Sequence, residues 1–274
     1  PQYSAPSRVC TEASSVSLSQ WIASSADPVK GTVMEVGCGC GIQLFTAALS
    51  HPEVTRALGY DLDPRQINVA RFGAHMNGLA DRVEIFSDEN MFFSSVDCNS
   101  VSMGIAPSFL PSLEFLPLDF GSMGEEAFKR FGALQGERPV FSMKEFYGQT
   151  GWGGPDGLTV TLPLIEKLLP YLKPRGTLIT CADFAMSEGQ PLLISVLANN
   201  LPFSFEYRID EGDNRTPGEW AATVRKEIYD QFPELRSPKN TRRIRNSVLA
   251  NCLEHGIESY QGGVLALYPQ KDKL

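Results

Sequence analysis

No apolar run in the sequence approaches the ~20 residues that a membrane-spanning helix needs. The first residues, Pro1 to Val9, lack the charged-then-apolar pattern of a secretory signal. Cysteine is sparse, with six residues and no Cys-x-x-Cys pair, so neither a disulfide scaffold nor a zinc knuckle is expected and the thiols read as reduced. Histidine is scarcer still. His51, His75 and His255 fall on expected helices or their ends, away from strand tips, and none reads as a general base. There is no basic excess: 24 Lys and Arg against 32 Asp and Glu leave a net charge of −8, which offers no general attraction for nucleic acid or anionic lipid. Internal repeats and low-complexity blocks are absent. The expectation is a cytoplasmic globular protein without nucleic-acid or membrane partners. The Lys-Asp-Lys-Leu tail, loosely like a retention signal, is read as chance.

What is present is a hydrophobic content of 42% over 274 residues, enough for one large core, and an alternation of strand and helix signals. Thr32 to Val36, Arg56 to Tyr60, Arg82 to Phe86, Ser100 to Ile105, Thr177 to Cys181, Ser204 to Ile209 and Gly263 to Tyr268 read as strands. Helical spacing separates several of them: Ile42, Phe45 and Leu49; Ile67, Ala70 and Ala74 after Pro64; Leu158, Leu162, Ile165, Leu169 and Leu172. Such βα alternation predicts an α/β fold, a doubly wound and mostly parallel seven-stranded Rossmann-like sheet with helices on both faces. Residues 1–30 read as an N-terminal helical or lid segment and 31–274 as the main domain. Two stretches interrupt the alternation. Residues 112–157 are too long for a connection and carry Phe128, Phe131, Phe141, Phe146, Tyr147 and Trp152 among their aromatics, which favours an ordered lid. Residues 217–255 form a charged, helix-rich insertion before the last strand.

The first strand runs into Glu35-Val36-Gly37-Cys38-Gly39-Cys40-Gly41, a glycine turn at the place where open α/β sheets bind ligands. The dinucleotide fingerprint needs a small residue at position 42, and Ile42 stands there. Gly-x-Gly-x-Gly with an acid two residues ahead resembles motif I of the class I S-adenosylmethionine-dependent methyltransferases. That resemblance implies S-adenosylmethionine as cofactor, with Glu35 near its methionine amino end and Gly37, Gly39 and Gly41 at the turn. It implies that Asp61, in Tyr60-Asp61-Leu62-Asp63-Pro64, accepts the ribose hydroxyls, with Leu62 alongside. Asp88 and Glu89, after the third strand, fall where the adenine amino group is received. Cys38 and Cys40 are expected to be turn fillers, and no metal site is expected.

After the fourth strand comes Ala106-Pro107-Ser108-Phe109, in the position where amino-methyltransferases carry Asn/Asp-Pro-Pro-Tyr/Phe. With Gly153-Gly154-Pro155-Asp156-Gly157 and Tyr171-Leu172-Lys173-Pro174-Arg175-Gly176, the run resembles the release-factor glutamine methyltransferases over roughly residues 31–185. Ala106 departs from that pattern: it has no side-chain acceptor for an amide N–H. A small acceptor is therefore expected, an amine, a thioether such as methionine, or an activated carbon. Gly-Ile-Ala-Pro and Ala133-Leu134-Gln135-Gly136 are also similar to the methyltransferase part of methionine S-methyltransferases. A protein glutamine methyltransferase and a non-catalytic S-adenosylmethionine-binding protein are the alternatives. Pro107, Phe109, Tyr147 and Trp152 are the expected catalytic residues, Ser108 and Asp156 further acceptor-site candidates, and Ala106 is expected against the cofactor. Lys239, Arg242, Arg243 and Arg245 read as a solvated face or an anion clamp.

Overall fold

The computed structural model describes residues 13–25, 28–107, 109, 111–119, 124–135, 138–147, 151–200 and 203–269. Ser108 and the C-terminal tail lie outside the described residues. The chain runs α1 (Ala13–Ala23), β1 (Gly31–Val36), α2 (Ile42–Ser50), β2 (Val54–Tyr60), α3 (Pro64–Met76), β3 (Val83–Phe86), α4 (Glu89–Ser94) and β4 (Val101–Ile105). The first insertion holds β5 (Phe115–Leu116), α5 (Gly124–Phe131), β6 (Gly132–Gln135), β7 (Arg138–Ser142) and α6 (Met143–Tyr147). Then follow α7 (Leu158–Leu168), β8 (Leu172–Ser187), β9 (Gln190–Pro191), α8 (Leu192–Asn200), β10 (Phe203–Arg215), α9 (Pro217–Gln231), α10 (Pro238–His255) and β11 (Ser259–Pro269).

The main sheet has the order β10-β11-β8-β4-β1-β2-β3, with β9 paired at the end of β8. β3, β2, β1, β4 and β8 are mutually parallel, and β11 is antiparallel to both its neighbours. The expected seven strands are all present. Alternation along each strand builds two layers. Val33, Ala57, Met103, Ile105 and Ile179 pack under α1, α2 and α3, while Met34, Leu58, Tyr60, Leu178 and Leu265 pack under α4, α7 and α8. Helices therefore cover both faces, and the fold is a doubly wound, mostly parallel Rossmann-like sheet. α1 is part of this layering through Leu18, Trp21 and Ile22. In α2 the buried face is Leu44, Ala47 and Ala48, and Leu49 is exposed, so the spacing of Ile42, Phe45 and Leu49 pointed one residue off the core.

The two interruptions form one cap. Residues 112–157, expected as an ordered lid, contain a three-stranded antiparallel sheet of order β5-β7-β6. Its Leu116, Phe131, Phe141, Met143 and Phe146 share a core with Trp220, Ile228, Phe232 and Ile244 of α9 and α10. Asn240 stitches the halves: its Oδ1 accepts from the Asp119 N–H at 2.7 Å, and its Nδ2 donates to the carbonyls of Asp119 and Leu235, both at 2.9 Å. Asn240 is 1% exposed. Asn240→Ala would remove the partner of those three backbone groups and leave the Leu235 carbonyl unsatisfied in the interior, an expected loss of about 2–4 kcal/mol in denaturant unfolding.

Candidate cofactor and acceptor site

The glycine turn closes tightly at the C-terminal edge of β1. The Cys38 N–H donates to the Tyr60 carbonyl at 3.0 Å, and the Gly41 N–H donates to the Cys38 carbonyl at 2.8 Å. Gly37, Gly39 and Gly41 have φ of +67°, +52° and +83°, a left-handed run that L side chains resist. The three glycines serve different ends. A Cβ on Gly37 would lie 3.1 Å from Cβ of Pro107, and one on Gly41 2.8 Å from the Phe45 ring, so both are required by packing. A Cβ on Gly39 would meet nothing within 4 Å. Gly39 thus lines open space.

Asp61 holds this turn to the end of β2. Its Oδ2 accepts from the Gly39 N–H and its Oδ1 from the Asp63 N–H, both at 2.8 Å. Each oxygen keeps a second lone pair. The helix cap is Asp63, whose side chain accepts from the Arg65 N–H. Beside the turn, Glu35 is 4% exposed and its Oε2 has no hydrogen-bond partner. Burial first, then the Asp61 carboxylate, push its pKa well above the ordinary glutamate range, and the Leu44 backbone N–H offsets this only in part. A carboxyl group with a raised folded-state pKa stabilises the fold fully below its unfolded-state pKa, and that contribution is lost as pH rises through the folded value. The ligand-free protein is accordingly expected to lose stability from about pH 4.5 upward through the raised pKa, and Glu35→Gln to flatten that dependence in urea titrations run across pH.

Further along the sheet edge, Leu62 is 59% exposed beyond β2. Asp88 is exposed and caps α4, accepting from the Met91 N–H at 2.8 Å. Glu89 pairs with Lys167 at 2.7 Å. Met91, 63% exposed in the first turn of α4, is a further apolar surface at this edge; only its place one turn past a strand end could have marked it in the sequence. Burial and the neighbouring Glu35 and Asp61 carboxylates raise the Cys38 pKa well above its ordinary value, so the thiol stays protonated, as befits a filler. Among the described residues no group of three His, Cys, Asp or Glu is placed to hold a metal ion.

On the acceptor side, Ala106 is buried and donates its N–H to the Ile179 carbonyl at 2.9 Å. Pro107 packs on Gly37, which joins the fourth-strand turn to the glycine turn. Phe109, Asp156, Ala182, Asp183 and Phe184 line a narrow cleft where the start of α7 meets β8. Asp156 accepts from the Leu158 N–H at 2.9 Å at the start of α7. Tyr147 and Trp152 belong to the cap. The Tyr147 hydroxyl donates to Glu227 at 2.6 Å, and burial, Glu227 and Asp183 hold its pKa well above the ordinary tyrosine value. Trp152 is 9% exposed and its Nε1 donates to the Leu113 carbonyl at 3.3 Å. Asp183 pairs with Arg215 at 2.9 Å, and that guanidinium lies over Trp220, 5.2 Å from the ring centroid. Sequence reading missed Asp183, Arg215 and Glu227. Asp183 alone carried a signal, as an acid just past an expected strand. His51 and His255 are held on the carbonyls of Ile22 and Asn251.

Residues 12–101 match the family model of the ribosomal protein L11 methyltransferases (PrmA). The matched stretch includes Glu35, the glycine turn, Asp61 and Asp88, and it ends at the first residue of β4, before Ala106 and the cap. The ribosomal protein L11 methyltransferase of Escherichia coli O8 (strain IAI1) is 35% identical over 109 residues, 38% of this chain and 36% of that protein. The chain thus matches about a third of the length of these curated relatives. Among solved structures, a ribosomal protein L11 methylase from Lactobacillus delbrueckii subsp. bulgaricus aligns at 16% identity and TM-score 0.42, covering 71% of this chain and 72% of that one. A SAM-dependent methyltransferase from Geobacter sulfurreducens in complex with S-adenosyl-L-homocysteine aligns at 17% and 0.44, covering 93% and 91%.

Proposed function

We propose that the chain is a methyltransferase that takes its methyl group from S-adenosylmethionine and delivers it to a small molecule held under the cap. One observation carries the donor half: the buried Glu35 carboxyl has an unpartnered oxygen beside Gly39, whose α-carbon faces open space. A buried carboxylate is costly unless a cation or donors meet it, and the cofactor's ammonium is such a partner. Asp61 would receive the ribose hydroxyls on its remaining lone pairs, and Leu62 and Met91 would cover the adenine faces near Asp88. When bound, the cofactor supplies a methyl group on a positively charged sulfur. The chain's part is to hold the acceptor in line with that methyl and to exclude water, so positioning dominates catalysis.

For the acceptor half, Phe109 would form the near wall, with Asp156 and Asp183 adding carboxylates to the cleft, and Pro107 would hold the fourth-strand turn against Gly37. The buried Ala106 leaves an amide acceptor without the side-chain partner it would need, which weighs against the glutamine reading. A protein acceptor is the second reading, favoured by the likeness of residues 12–101 to enzymes named for ribosomal protein L11. Transfer from methyl-labelled cofactor, scored against amino acids, amines and thioethers and against purified ribosomal protein L11 and a release factor, separates them. Label in a small molecule is expected. Label in L11 or the release factor with none in the small-molecule panel would replace the small-molecule reading with a protein one.

A further inference from the structure

Residues 225–245 hold seven of the chain's 24 lysines and arginines but three of its 32 aspartates and glutamates. An acidic protein thus carries one concentrated basic stretch, on the α9–α10 hairpin of the cap. Little of that charge is neutralised locally. Glu227 is engaged by Tyr147, Asp230 pairs with Lys226 at 3.0 Å, and Lys239 pairs with Asp119. Arg225, Arg236, Arg242, Arg243 and Arg245 have no ion pair among the described residues. Arg236, Arg242 and Arg245 are exposed, and Arg225 and Arg243 are half-buried.

The hairpin brings these residues together. The Tyr229 hydroxyl lies 3.1 Å from Oγ1 of Thr241, which sets the register of the two helices. Arg225 is one turn before Tyr229 and Arg245 one turn after Thr241, so in an antiparallel pair they fall side by side. An open groove of about 490 Å³ runs along α9, with Arg225, Lys226, Tyr229, Asp230 and Arg236 on its walls. Like charges at such spacing repel and add nothing to the fold. From Pro238 to Arg245 the helix alone spans ~10 Å at 1.5 Å per residue, more than a single phosphate group occupies.

We propose that this face of the cap docks an acidic protein surface, one presenting clustered aspartate and glutamate side chains to the arginine forks. Guanidinium groups match carboxylates two bonds at a time, and charge complementarity of this kind sets encounter rate and orientation. An extended nucleic acid fits less well, because beyond the hairpin it would run onto a strongly acidic remainder.

The test uses the full chain and fluorescently labelled poly-L-glutamate, followed by anisotropy at low and at raised salt. Single-stranded RNA of equal charge and inorganic pyrophosphate are the comparison ligands. Saturable, salt-weakened binding of poly-L-glutamate is expected, reduced about tenfold or more in the Arg225→Glu, Arg245→Glu double variant and largely kept in the matching lysine variant. S-adenosylhomocysteine affinity, measured on the same preparations, should not change in either variant, which also certifies their fold. No binding of poly-L-glutamate, binding indifferent to the double charge reversal, tighter binding of RNA, or full competition by pyrophosphate would each overturn the proposal.

Discussion

Gly39→Val is expected to yield a folded protein that has lost S-adenosylhomocysteine binding. The φ of +52° makes any L residue strained there, at about 1–2 kcal/mol. A Cβ placed there meets no neighbouring heavy atom within 4 Å, so the fold has room at the base of the side chain. What it fills is the space the proposed ligand needs. A loss of at least about 100-fold in affinity, or ~2.7 kcal/mol, is expected by calorimetry. Gly41→Ala makes the contrast. Its Cβ would press on the Phe45 ring at 2.8 Å, so the expected damage is to thermal stability first. Unchanged ligand affinity in Gly39→Val would show that the open space beside the turn is not the cofactor's.

Trp152→Ala is expected to act through the fold. The indole is buried among the cap's aromatics, donates to the Leu113 carbonyl and lies under the Lys144 ammonium at 5.3 Å. Removing it should cost about 3–5 kcal/mol in denaturant unfolding. On sequence grounds this residue is a candidate for touching the acceptor; its interior placement and its bond to Leu113 make support of the cap the role this substitution is expected to report. Phe109→Ala should separate from it. Phe109 lines the cleft from a half-buried position, so methyl transfer should fall while cofactor affinity and most of the stability remain. Equal destabilisation by both substitutions, with no separate loss of transfer in Phe109→Ala, would contradict this division.

The sheet was legible because its strands are short, mostly apolar runs, three of which lead into tips with special chemistry. Val36 leads into Gly37, Tyr60 into Asp61, and Phe86 into Asp88. Local pattern is enough for a parallel sheet whose helices alternate with it. The cap was legible only as two interruptions. Its core joins Phe131 and Phe141 to Phe232 and Ile244, about a hundred residues apart, and Asn240 reaches Asp119 across 121 positions. No periodicity within either segment encodes such a pairing. For the same reason Tyr147 could be noticed as an aromatic but not as the partner of Glu227, and Arg215 could not be matched to Asp183. Asp61 was legible as an acid at a strand tip. Its hold on the Gly39 N–H, which shapes the turn, required coordinates.

Glu35, Gly39 and Asp61 together are proposed as the S-adenosylmethionine site, with the open space at Gly39 taking the ligand. Calorimetric titration of the wild-type chain with S-adenosylhomocysteine tests it most directly, repeated in buffers of different ionisation enthalpy. The account predicts one-to-one binding accompanied by proton release, because the ligand's ammonium favours the ionised form of a Glu35 whose pKa is raised in the empty site. An absence of binding heat together with an unshifted thermal transition, or binding equally strong in Asp61→Ala, would contradict it.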